Sequence, residues 1–182
     1  MPDVEGALSV EERGTLRHLL ASTNDTYIEA IPKVELHVHI EGIISADLKW
    51  KFSQRNGQVI INPRTNHPFS TLEELRDSHN TLKPAVGNRM DNSEETLSFF
   101  EAYYGGFEVL RTKQDYFDLA MDYYEHAAQM NVRYAEIFFD PQGHTRVGTT
   151  WEMMMEGFRE AQIEAEKDLN VSLSHTMDLC IC

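Results

Sequence analysis

Residues 32–42, PKVELHVHIEG, set two histidines one residue apart inside an apolar run that ends in Glu41-Gly42. The run is short, rich in β-branched residues and punctuated by Gly42, so it reads as a strand feeding a loop. Side chains at i and i+2 of a strand share a face. His37 and His39 are therefore expected to project together, with Leu36, Val38 and Ile40 on the other side and Glu41 one step further along the histidine face. Two imidazoles held so can each give a nitrogen to one Zn²⁺ at about 2.0–2.1 Å. The same H-x-H pattern also suits a pair of hydrogen-bonded or exposed histidines, so the motif by itself leaves both readings open.

Working outward, Ser45 caps a helix through Asn56, with Gly57 as its stop. Residues 58–92 concentrate Pro, Asn, Ser and Gly around a short helical piece near TLEELRD and read as an excursion with little core of its own. From Ser93, SEETLSFFEAYYGG carries an apolar helical face and a double-glycine stop. TKQDYFDLAMDYYEHAAQMN is a long helix with Phe117, Ala120, Tyr124, Ala127 and Ala128 as its stripe. Asn131 closes it, and VRYAEIFFD follows as a strand ended by Pro141. After a loop PQGHTRVGT, Thr149 and Glu152 form a capping box that opens a helix to about Leu169, and VSLSHTMDLCIC begins a third strand. Upstream, Ser9 and Glu12 open an amphipathic helix over 9–21.

Strand, helical excursion, strand, helix, strand is the alternation of parallel β/α units. A closed eight-stranded barrel takes about 250 residues. With three strands in 182 residues, the reading is either a small open sheet or the opening part of a larger barrel.

Composition narrows the partners. A formal net charge of −14 repels phosphate backbones and anionic lipid, which disfavours a nucleic-acid polymer or a membrane surface. The first residues carry acids where a secretory signal would need a basic start and an apolar run, and a cytoplasmic address is expected by default. Cys180 and Cys182 sit too close together to close a useful disulfide loop and read as small buried residues.

PKVELHVHIEG closely resembles the signature of the adenosine and adenine deaminase family, zinc hydrolases on a (β/α)₈ barrel. YAEIFFDPQGHTRVG at 134–148 resembles the end of the second strand in the branch acting on adenine, and FFEAYYGGFEVLRTKQDYFDLAMDYYEHAAQMNV resembles its spacer. The resemblance covers residues 27–182 and leaves 1–26 as a helical extension. It implies an α/β fold, a partial TIM barrel of about three β/α units, with 58–104 holding part of a lid. It further implies Zn²⁺ as cofactor, His37 and His39 as metal ligands, and Glu41, Gly42 and His144 as substrate contacts. The implied substrate is a small purine, and Glu41, where adenosine-specific members usually carry Asp, points to the free base adenine.

In the resembled family the third histidine, the general acid/base glutamate and the ligating aspartate lie on later strands. The 182-residue chain alone is therefore expected to be catalytically silent. Asp140 is expected to cap the Pro141 turn, His175 to be structural, and His18, His67, His79 and His126 to be solvated. Two other readings stand beside the deaminase one: a noncatalytic truncated paralogue that self-associates through an unpaired sheet edge, and an unrelated H-x-H metallohydrolase such as a phosphoesterase.

Overall fold

A computed structural model of the chain describes residues 10–21, 25–63, 65–80, 105–169 and 179–181. It divides into two compact units, Met1–Pro32 and Lys33–Cys182. The first holds helices α1 Val10–Ala21 and α2 Thr26–Ala30. The second is built on a parallel sheet of three strands in the order β1 Lys33–His39, β2 Val132–Phe139, β3 Leu179–Ile181. Parallel neighbours need a long crossover. Here the first crossover carries α3 Ala46–Asn56, α4 Leu72–Asn80 and α5 Lys113–Gln129, and the second carries α6 Pro141–Arg146 and α7 Trp151–Asp168. The expected β/α alternation is thus present. No helix among the described residues is long and apolar enough to cross a membrane.

Local chemistry sets the helix boundaries. Ser45 Oγ accepts from the Leu48 N–H at 3.2 Å, and Gly57 closes α3 at φ 61°, a left-handed conformation suited to glycine. A Thr112–Asp115 capping box opens α5, with the Thr112 side chain on the Asp115 N–H and the Asp115 carboxylate on the Thr112 N–H. The cap of α7 is Thr150, not Thr149: Thr150 accepts from the Met153 N–H, whereas Thr149 is buried and its hydroxyl donates to the Leu110 carbonyl. The expected loop after β2 is also corrected. Asp140 caps a short helix with Pro141 in its first turn, where the missing N–H is no loss.

The core lies between one sheet face and α5 and α7. Ala135, Ile137 and Phe139 of β2 meet Tyr116, Leu119, Ala120 and Tyr124 of α5 and Met154, Phe158 and Ala161 of α7, all buried. Gly157 lets α5 and α7 approach: a Cβ there would fall 2.5 Å from the Lys113 carbonyl and 2.8 Å from Tyr116 Cβ. The described part of the excursion is less independent than expected, since Ile60, Phe69 and Leu75 join this core. Residues 81–104, including the Phe99–Tyr104 aromatics, and His175 and Cys182 lie outside the described residues.

Asp115 ties α3 to α5. Its Oδ2 accepts from the Arg111 and Thr112 N–H groups at 2.9 and 2.7 Å and from Asn56 Nδ2 at 2.8 Å. Arg55 lies 2.6 Å from Oδ1 in an ionic contact without hydrogen-bond alignment. A fully buried carboxylate is stable only when so surrounded.

Candidate metal centre

The register of β1 on β2 decides where the histidines face. Glu35 pairs with Ala135, but Val38 pairs with Ile137 and His39 with Phe138, so β1 carries one extra residue between Glu35 and Val38. This is a β-bulge, which breaks the two-residue alternation. Glu35 and Val38 consequently both turn towards the helices: Glu35 Oε2 accepts from Tyr123 O–H of α5 at 2.5 Å, and Val38 packs on the core. Burial, and then the neighbouring Glu35, push the Tyr123 phenol well above its ordinary range, which keeps it an O–H donor.

His37 and His39 lie on the other face of the strand, the one that carries Phe138. Both rings pack on Phe138, with centroids 4.7 and 5.6 Å away, and their Nε2 atoms are 3.0 Å apart. Two nitrogens on a tetrahedral zinc, each at about 2.0–2.1 Å, are roughly 3.4 Å apart. The donor set therefore fits one divalent ion with a small outward rotation of the rings. Among the described residues no third His, Cys, Asp or Glu completes a metal-binding group.

The expectation that Leu36 shares a buried face with Val38 and Ile40 is corrected, because the bulge leaves Leu36 exposed. The strand also ends earlier than expected. After His39 the chain enters a 3₁₀ turn, Ile40–Ile43, which swings Glu41 inward rather than along the histidine face. Glu41 is 1% exposed, and its Oε1 accepts from the Asp140 N–H at 2.6 Å and faces His144 Nε2 at 3.0 Å. His144, on α6, is fully buried, with Nδ1 3.0 Å from the Tyr116 hydroxyl and its ring edge-on to Phe107. Burial pushes the Tyr116 phenol well above its ordinary range.

Gly42 takes the other course and stays exposed, beside the histidines. An open groove of about 570 Å³ runs along β1 and is lined by Glu35, His37, His39, Gly42, His126 and Met130. His126 is exposed as expected, yet it shares this groove with the H-x-H pair, and its Nδ1 donates to the Asp122 carbonyl at 2.6 Å. Nothing in the local sequence marks that proximity, which arises from the packing of α5 against β1. The structure thus brings His37, His39 and Gly42 together at one opening and joins Glu41 to His144 behind it.

The parallel β/α sheet thus carries paired imidazoles at the carboxyl end of its first strand, where parallel α/β folds bind ligands. Residues 32–180 match the family described as adenosine deaminase, and the chain belongs to that family. A relative described as an uncharacterized deaminase of Schizosaccharomyces pombe is 38% identical over 147 residues, covering 81% of this chain and 38% of its own length. The adenine deaminase of Rhodospirillum rubrum is 37% identical over 151 residues, 83% of this chain and 40% of its own. Among solved structures, the adenine deaminase of Arthrobacter aurescens matches with a TM-score of 0.60 at 34% identity, over 77% of this chain and 37% of its own. A zinc-bound amidohydrolase from Burkholderia ambifaria has the same TM-score at 22% identity, over 93% and 38%, a likeness of fold alone. The chain spans about two-fifths of the length of the curated relatives it matches.

Proposed function

We propose that the chain forms about three β/α units of a (β/α)₈ purine deaminase barrel whose reaction is the hydrolytic removal of the exocyclic amine of adenine. The observation that carries the reading is the pair of Nε2 atoms 3.0 Å apart on one face of β1, at the strand end where parallel α/β folds bind ligands. His37 and His39 are the residues that would hold zinc, which supplies Lewis acidity and brings the pKa of water towards neutrality for attack on the ring. Phe138 sets the floor beneath both imidazoles and fixes their common direction. Gly42 leaves open space beside them, since a Cβ there would meet nothing within 4 Å. Adenine rather than adenosine fits the activity named for the similar bacterial proteins.

Isothermal titration of the 182-residue chain with Zn²⁺ tests this. One ion is expected per chain, with His37→Ala and His39→Ala each weakening binding by at least about tenfold. Equal zinc affinity in the wild type and the double variant overturns the reading. Association through a sheet edge is a second reading, favoured by Val34 and Leu36, 60% and 58% exposed on β1. It predicts a dimer or larger species in sedimentation velocity, and a monomer at all concentrations refutes it.

A further inference from the structure

We propose that Tyr116 and His144 form a buried positioning relay that acts through Glu41 to fix the main-chain turn between the metal-ligand strand and the substrate-side Gly42. The relay joins three separate elements: Tyr116 on α5, His144 on α6 and Glu41 in the turn that follows His39. All three side chains are almost wholly excluded from solvent, at 0%, 0% and 1% exposure. None of them therefore meets a ligand directly in this structure, and a role at the site has to pass through what they hold.

Donor accounting gives the relay a direction. Glu41 Oε1 already accepts from the Asp140 N–H, so it faces the imidazole as an acceptor and His144 Nε2–H donates to it. Nδ1 then accepts from the hydroxyl of Tyr116, a phenol that burial keeps protonated. The imidazole has little freedom to do otherwise. Phe107 stands edge-on 4.5 Å from its centroid, and a Cβ on the adjacent Gly143 would lie 2.7 Å from the Phe107 ring. A polar chain of this kind inside an apolar core is worth little as net stability, but it specifies one geometry. That geometry pins Glu41, one residue from Ile40 and two from His39, and leaves Gly42 turned to the groove.

The role rests on the zinc reading of His37 and His39, and the test separates the two. Long-range ¹H–¹⁵N spectra of the full chain report the tautomer of His144, and titration with Zn²⁺ alone reports the ligand pair. The wild type is expected to show a single Nε2–H tautomer. Tyr116→Phe, which removes one oxygen, is expected to collapse it to a mixture, to move the His39 ring and Gly42 amide resonances, and to weaken Zn²⁺ binding by about tenfold. His144→Gln, whose amide can still donate to Glu41, is expected to hold zinc affinity within about twofold, where His144→Leu loses about tenfold. An unchanged tautomer in Tyr116→Phe overturns the relay. A collapsed tautomer with unmoved His39 and Gly42 resonances overturns its positioning role. Wild-type chain that binds no zinc overturns the metal reading instead, and the resonance changes then judge the relay without it.

Discussion

Lys49 offers a test of how the helical layer behind the site is held. It is 8% exposed on α3, and burial, opposed in part by the attraction of Glu108, lowers its pKa from 10.5 to about 8. At about 1.4 kcal/mol per pH unit, this amounts to roughly 3 kcal/mol against the charged form in the folded state. Below pH 8 both folded and unfolded chains carry the proton and the full penalty stands. Between pH 8 and 10.5 the unfolded chain binds more protons than the folded one, so this residue's contribution to stability rises with pH until the penalty is gone. Lys49→Met keeps the aliphatic stem and removes the ammonium. The variant is expected to exceed the wild type by about 2–3 kcal/mol near neutral pH, and by no more than about 0.5 kcal/mol at the high end of that window. Urea unfolding of both proteins at matched pH values measures the gap. The raised phenols of Tyr116, Tyr123 and Tyr124 titrate alike in both chains and cancel. His79 supplies a second readout: burial and then the Lys49 cation lower its pKa, so removing the cation lifts it, as read from its ring C–H resonances. A variant less stable than the wild type at neutral pH, or a gap that stays constant with pH, refutes the reasoning.

Asp115→Asn places an amide where four donors converge on Oδ2 and leaves Arg55 without its closest anion; a loss of about 3 kcal/mol in urea unfolding is expected. Gly157→Ala drives a methyl into the Lys113 carbonyl and is expected to lower stability by about 1–3 kcal/mol, measured in the same way. Gly42→Ala meets open space at an ordinary φ, so stability in urea unfolding should stay within about 0.5 kcal/mol of wild type.

Much of the scaffold was legible because its signals are local. Ser45 and Gly57 bracket α3 through a side-chain cap and a left-handed stop, and both act over four residues or fewer. The parallel sheet followed from the spacing of apolar runs around helical stretches, since a crossover of that length leaves few other topologies. Glu41 and His144 are each legible as candidates in the sequence, yet their pairing spans more than a hundred positions and no local pattern marks it. Tyr116 carries nothing in the sequence that separates it from the other residues of its helix. Only the docking of α5 against α6 brings its hydroxyl to the imidazole.

The bulge in β1 shows most sharply what pattern reading cannot supply. Strict alternation puts Glu35, His37 and His39 on one face, and the inference that the histidines share a face holds under that rule. The rule would also send all three side chains the same way as Glu35, which binds Tyr123 on the helix side. One extra residue opposite β2 separates them: Glu35 stays with the helices and the imidazoles turn to the free face over Phe138. No propensity in VELHVH marks that insertion. It lies between two fixed points, Glu35 on Tyr123 and the buried Ile40–Glu41 turn, where the register from Glu35 to Val38 takes one residue more on β1 than on β2. The direction of the histidine pair is thus decided by contacts on the other face of the strand, made by residues that do not touch either imidazole.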